Sequence, residues 1–106
     1  MAASRVLVTG ASGFIGRHAL EPLNRLGFEV HAVARHAIEQ ANVHWHAVDL
    51  LDSTSTRTLL ESIRPTHLLH FAWYAEHGKF WTSPLNLEWL SATTSLLLDF
   101  VELGGK

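Results

Sequence analysis

Within the first sixteen residues an apolar run, Val6-Leu7-Val8, passes through Thr9 into three glycines spaced by three: Gly10, Gly13 and Gly16. Glycine lets the backbone turn sharply and lets another group come close where a Cβ would stand in the way. The residues after Gly13 have helical spacing, so a helix opens inside this turn. The start of a helix offers N–H groups without intrahelical acceptors and the positive end of a dipole, both suited to an anion. The stretch therefore predicts a strand, a tight turn that cradles phosphate, and a helix, in that order.

The rest of the chain alternates in the same way. Arg5 to Thr9 is apolar at consecutive positions, as expected of a parallel strand buried on both faces. The first helix carries Phe14, Ile15, Ala19, Leu23 and Leu26 near one face, with Gly27 as its stop and a kink expected at Pro22. Phe28 to Ala34 reads as the second strand. Ala37 to Asn42 reads as a polar connection with little regular structure, and Val43 to Val48 as the third strand. Asp52 or Ser53 caps a helix through Arg57, Leu59, Leu60 and Ile63, which Pro65 ends. His67 to Ala72 is the fourth strand, Trp73 to Ser83 a loop, and Pro84 opens a long helix that Gly104-Gly105 stops near Leu103. Strands alternating with helices predict an open α/β sheet, parallel through right-handed crossovers, in the order 3-2-1-4.

Composition bounds the function. With 106 residues, 47% of them hydrophobic and 17% charged, the chain suits one packed domain over residues 1–106. A net charge of −2 gives no basic excess for nucleic acid or an anionic membrane surface. No apolar run approaches the roughly 20 residues of a membrane span. There is no cysteine, so neither a disulfide framework nor a thiolate metal site is expected. Met1 to Arg5 is too short for a signal peptide, and the expectation is a soluble cytoplasmic protein.

A glycine-rich turn that follows a buried strand, opens a helix and leads into a second strand is the setting of a dinucleotide fold, with pyrophosphate held at the turn. Here the sequence resembles the extended short-chain dehydrogenases/reductases, the nucleotide-sugar epimerase/dehydratase family. Thr9-Gly10-Ala11-Ser12-Gly13-Phe14-Ile15-Gly16 is similar to that family's T-G-x-x-G-x-x-G fingerprint. Asp49-Leu50 resembles its acidic-apolar pair after the third strand, and His70-Phe71-Ala72-Trp73 its H-x-A-A stretch. The resemblance covers nearly the whole chain. It implies an NAD(P)-dependent oxidoreductase, an epimerase, dehydratase or reductase of a nucleotide sugar. It also implies roles for single residues. Gly10, Gly13 and Gly16 shape the pyrophosphate turn, and Ser12, Phe14 and Ile15 supply N–H groups and walls. Asp49 and Leu50 meet the adenine, and Phe71, Ala72 and Trp73 lie beside the ribose and phosphates.

Three departures from the family pattern stand out. Trp73 replaces a residue that is usually small. The family's asparagine near the start of the following helix corresponds either to Asn86 or, on the leucine run, to Trp89. The family's Tyr-x-x-x-Lys pair, which handles the proton during hydride transfer, is missing, because the single tyrosine, Tyr74, is followed four residues later by Gly78. The chain thus reads as an amino-terminal cofactor-binding portion with no catalytic residues of its own. A non-catalytic dinucleotide-binding or regulatory module is the alternative.

The end of the second strand selects the cofactor. A carboxylate there favours NAD by accepting from the ribose 2′-OH. This chain has Arg35-His36, and a guanidinium suits a 2′-phosphate, so NADP is expected over NAD, with Arg17 as a second positive charge.

Eight histidines are many for this length. His44 and His46 share a strand face, but no third ligand is evident and no metal site is expected. His31 and His67 read as edge or strand-end residues, and His70 as neutral and hydrogen-bonded. The loop residues Trp73, Tyr74, Lys79, Phe80 and Trp81 either contact substrate or pack on themselves. The last helix, residues 84–103, has two apolar stripes facing nearly opposite ways at about 100° per residue. Leu87, Leu90, Leu97 and Val101 form one, and Trp89, Leu96, Phe100 and Leu103 the other. One packs on the sheet; the other is either ordinary exposed surface or the seat of a partner, with a homodimer expected.

Overall fold

The computed structural model describes residues 4–13, 15–36, 38–72 and 85–105. Its elements are β1 (Arg5–Thr9), a 3-10 turn (Gly16–His18), α1 (Leu20–Arg25), β2 (Glu29–Ala34), β3 (Val43–Ala47), α2 (Ser53–Ile63), β4 (His67–His70) and α3 (Leu85–Glu102). The four strands form one parallel sheet in the order β3-β2-β1-β4, as expected. The alternation of strand and helix forces this arrangement, since a parallel neighbour can be reached only by a crossover.

β1 is central and apolar on both sides. Val6, Leu7 and Val8 are at most 1% exposed. Val6 and Val8 pack with Leu20, Val30, Ala32 and Val43 on the α1 face. Leu7 packs with Val33, Leu50, Leu59, Leu60, Ile63 and Leu96 on the face covered by α2 and α3. Burying a leucine such as Leu7 or Leu60 contributes about 2 kcal/mol relative to leaving it in water.

The helix ends follow the chemistry of their terminal residues. Asp52 accepts hydrogen bonds from the N–H groups of Thr54 and Ser55, which caps α2 and lowers the Asp52 pKa. Arg64, left-handed at φ 52°, closes its other end. After α1 the N–H of Gly27 bonds the Asn24 carbonyl and that of Phe28 the Leu23 carbonyl. After α3 the N–H of Gly104 bonds Val101 and that of Gly105 bonds Phe100. Both are Schellman closures. Arg57 ties α2 to α3 by bonding Asp99 and Glu102 at 2.9 and 3.1 Å. Among the described residues no helix is long and apolar enough to cross a membrane.

Three expectations need correction. The first helix is not one kinked helix but a 3-10 turn followed by a six-residue α1. Pro22 lacks the N–H that would reach the His18 carbonyl, so the break falls one turn earlier, at Ala19. The core side chain of this segment is Leu20, 2% exposed, whereas Ile15 and Leu26 are 66% and 75% exposed. The break shifts the helical phase that periodicity alone assumes. Lastly, His31 is no edge residue, because β2 lies inside the sheet and His31 is buried.

On α3 the aromatic stripe faces the sheet. Leu96 and Phe100 are buried, and Trp89 and Leu103 pack against the same core. Leu87, Leu90, Leu97, Leu98 and Val101 are exposed.

Candidate dinucleotide-binding site

All four strands run parallel, so their carboxyl ends share one edge of the sheet. The strand order then fixes a sequence of groups along that edge. Asp49-Leu50 follows β3, Arg35-His36 follows β2, Gly10 to Gly16 follows β1, and Phe71-Ala72 follows β4. Residues as far apart in the chain as Thr9 and Ala72 thus meet in one row. The chain reverses direction across the sheet between β1 and β4, the place where open α/β sheets form a crevice for ligands.

The glycines do three different things. Gly10 has φ +63°, and a Cβ on it would lie 2.7 Å from the Phe71 carbonyl carbon and the Ala72 nitrogen. Only a residue without a side chain lets the turn lie against the end of β4. A Cβ on Gly16 would collide with the Gly10 carbonyl oxygen and come within 2.9 Å of the Ala11 Cα. Gly16 therefore allows the 3-10 turn to fold back on the strand end. Gly13 is different. It is exposed, its N–H bonds the Gly10 carbonyl at 3.0 Å, and a Cβ there would meet only that carbonyl oxygen, at 3.2 Å. That contact is tight for a Cβ, so glycine at position 13 relieves the turn, and its exposed face also leaves the backbone open to an approaching group.

Among the described residues the N–H groups of Ser12 and Ile15 donate to no backbone carbonyl. Both residues are exposed. The elements that follow have three and six residues, so their dipoles are short, and an anion here would depend mainly on backbone donors. The donors, the open face at Gly13 and the row of strand ends fit a pyrophosphate-linked dinucleotide.

Beside the turn sits a hydrogen-bonded chain that the sequence does not announce. Thr9, fully buried, accepts at its hydroxyl from the Ala72 N–H at 3.3 Å, and its carbonyl accepts from the Phe71 N–H at 3.2 Å. The same hydroxyl contacts His70 Nδ1, and His70 Nε2 contacts the Thr93 hydroxyl of α3 at 2.9 Å. Burial lowers the His70 pKa, so this imidazole is neutral at pH 7. The available signal was Thr93 itself, a polar residue inside the buried stripe of α3.

The other predicted residues are placed as follows. Arg35 and His36 are exposed just past β2, and among the described residues Arg35 has no hydrogen-bond or ion-pair partner. Arg17 is exposed on the 3-10 turn. Asp49 is exposed and accepts from the Leu51 N–H at 3.0 Å. Leu50 is 8% exposed and packs in the core with Leu59 and Leu60, so what it offers at this edge is mainly backbone. Phe71 is 41% exposed at the end of β4. Phe14, Trp73 and the loop residues Tyr74, Lys79, Phe80 and Trp81 lie outside the described residues. Two open grooves elsewhere, about 450 Å³ between α2 and α3 and about 660 Å³ beside α1, contain none of the predicted site residues.

The histidines on β2 and β3 form a separate group on the α2/α3 face of the sheet. His31 Nε2 bonds Glu29 at 2.8 Å, and His31 Nδ1 bonds His46 Nε2 at 2.9 Å. The His31 ring stacks on His44 and on His46. Arg5 reaches Glu29 at 3.1 Å. The hydrogen bond from His31 lowers the Glu29 pKa, and burial followed by the charges of His31 and His44 lowers that of His46. Among the described residues no group of three or more such side chains is arranged to hold a metal ion.

The comparisons with known proteins agree with this geometry. Residues 6–99 match the model of the NAD dependent epimerase/dehydratase family. The chain belongs to that family. It is 35% identical over 88 residues to CDP-abequose synthase of Salmonella typhimurium, covering 78% of this chain and 28% of that one. It is 39% identical over 66 residues to a formate-dependent phosphoribosylglycinamide formyltransferase of Alcanivorax borkumensis, covering 59% and 16%. Among solved structures it is similar to the UDP-glucose 4-epimerase of Thermus thermophilus in complex with NAD. That match has 33% identity and a TM-score of 0.81, and covers 96% of this chain and 35% of that one. The chain spans about a third or less of the length of these proteins.

The lowered histidine values set the pH dependence. For His70 and His46 the folded state binds its proton more weakly than the unfolded chain, whose ordinary value is 6.5. Below that pH the unfolded chain holds more protons, so stability falls until the lowered folded values are passed. Glu29, lowered from 4.5, adds a second loss at more acid pH. The urea midpoint is expected to be level from about pH 8.5 to 7 and to drop between about pH 6.5 and 5; a level profile down to the acid end of that range would contradict the assignment.

Proposed function

We propose that this chain is the dinucleotide-binding portion of an NADP-dependent epimerase, dehydratase or reductase acting on a nucleotide sugar in the cytoplasm. The observation that carries the reading is the glycine turn, with Gly13 exposed and the N–H groups of Ser12 and Ile15 accepted by no backbone carbonyl among the described residues, set between the ends of β1 and β4. The similarity to an NAD-bound UDP-glucose 4-epimerase supports the cofactor class and the substrate class. A nicotinamide dinucleotide, when bound, supplies hydride transfer at a sugar carbon. The residues of this chain hold and orient it. Gly10 to Gly16 receive the pyrophosphate, Asp49 and the Leu50 backbone border the adenine, and Phe71 and Ala72 flank the ribose. No residue of this chain is assigned the proton transfer, since it carries no Tyr-x-x-x-Lys.

Arg35 supports NADP over NAD. It stands exposed at the end of β2, where a 2′-phosphate would meet it, and its guanidinium is engaged by no other described residue. Calorimetric titration of the chain should give tighter binding for NADPH than for NADH. Arg35→Asp should weaken NADPH by about tenfold or more, as loss of a charge-assisted pair does. Gly13→Val should abolish binding of both without unfolding the chain. A clear preference of the unaltered chain for NADH would refute the NADP assignment, and failure of both to bind would refute the dinucleotide reading.

The exposed face of α3 completes the proposal as the contact between two copies. Leu87, Leu90, Leu97 and Val101 lie along it, from 46% to 71% exposed. Sedimentation velocity should show a dimer that Leu90→Glu with Leu97→Glu converts to monomer. A monomer at all concentrations before substitution would remove this part of the reading.

A further inference from the structure

The hydrogen-bonded chain beside the glycine turn fixes a proton that coordinates alone do not show. The Thr9 hydroxyl is fully buried and has two neighbours among the described residues, the Ala72 N–H and His70 Nδ1. The Ala72 N–H can only donate, so it occupies one lone pair of the Thr9 oxygen. The Thr9 hydroxyl proton then needs an acceptor, and among the described residues His70 Nδ1 is the one within reach. A buried donor left without an acceptor is costly, so Nδ1 must be the unprotonated nitrogen. His70 is neutral, and its single proton therefore sits on Nε2, pointing at the Thr93 hydroxyl 2.9 Å away. The opposite tautomer would turn the Nδ1 proton against Thr9 and leave the Thr9 proton with no partner.

This accounting gives Thr93 a task at a distance. It lies on α3, is only half buried, and can send its own proton to solvent while its oxygen accepts from His70. The other end of the chain is the Ala72 amide, whose nitrogen lies 2.7 Å from where a Gly10 Cβ would stand. The interval between α3 and the glycine turn is therefore spanned by three side-chain and backbone links with one allowed set of proton directions.

We propose that Thr93 is a positioning residue for the dinucleotide turn: Thr9 sets the His70 tautomer, and Thr93, by accepting from His70 Nε2–H, holds the ring where Nδ1 receives the Thr9 hydroxyl, and so fixes the end of β4 against Gly10. This rests on the dinucleotide reading above for its effect on binding, but not for the tautomer. The chain couples α3, whose outer face carries the exposed leucines, to the seat of the pyrophosphate.

Thr93→Val keeps the shape and removes the acceptor; Thr93→Ser keeps the acceptor. Long-range ¹H–¹⁵N spectra of the full chain without ligand read the His70 tautomer, and calorimetry with NADP⁺ and with NAD⁺ reads affinity. The unaltered chain and Thr93→Ser should show the Nε2–H form and equal affinity. Thr93→Val should keep the Nε2–H form that Thr9 sets, let the Nε2 proton exchange faster with water, and bind the dinucleotide about fivefold more weakly, the effect of one lost hydrogen bond. An Nδ1–H form in the unaltered chain, or a Thr93→Val variant with unchanged Nε2 proton exchange or unchanged affinity, overturns the proposal. If the unaltered chain binds neither dinucleotide while the tautomers behave as stated, the dinucleotide reading fails and the proton assignment stands.

Discussion

The structure depends on how closely the backbone at Gly10 can approach its neighbours. Two contacts converge there, from the end of β4 on one side and from Gly16 on the other, and neither leaves room for a Cβ. If Gly10 moved outward by the width of a methyl group, the end of β4 would lose its seat and the 3-10 turn would lift from the strand. Thr9 gains its place from the same approach. Its hydroxyl and carbonyl receive the Ala72 and Phe71 amides, so the last residues of β4 are bound to the turn by hydrogen bonds as well as by contact. The close packing and the proton chain through His70 are two descriptions of one junction between β1, β4 and α3.

Charge is arranged differently at the two places where it gathers. At the carboxyl edge of the sheet Arg35 is exposed and unengaged by any other described residue. On the β2–β3 face the titratable groups are closed on one another, His31 between Glu29 and His46, with Arg5 beyond Glu29. The first arrangement leaves a cation open to solvent. The second is satisfied within the protein, and its consequence is for stability rather than binding, since protons added to neighbouring stacked rings repel.

Much of this was legible in the sequence, and what was not has physical causes. The strands were, because Val6-Leu7-Val8 is apolar at consecutive positions and only a strand covered on both faces needs that. The topology followed from the alternation of elements. The Asp52 cap and the glycine stops at Gly27 and Gly104 were readable because each acts on its own neighbours. The phase of the first helix was not readable, because Pro22 broke it and periodicity counts straight through a break. His31 was misplaced because its polar type was read apart from the expected strand order, which already sets the second strand inside the sheet. For α3 the two stripes were visible, but the sheet selected the one with Trp89 and Phe100. At the site, the strand ends that carry Gly10, Arg35, Asp49 and Phe71 share one edge of the sheet. The task of each glycine, the burial of Leu50 and the link from Thr9 to Thr93 all depend on contacts between separate elements, such as Thr9 with His70, 61 residues apart, which local pattern does not encode.

The central claim is that the carboxyl edge of this sheet, read from Asp49 to Ala72, is a single binding surface for a dinucleotide. Mapping of backbone amide shifts during titration with NADP⁺ tests it most directly. The account predicts that shifts gather at residues 10–16, 35–36, 49–50 and 71–72, with Gly27 to Glu29 and Arg64 to His67, at the opposite edge, unmoved. Shifts gathered at that opposite edge, or none at saturating dinucleotide, would contradict it.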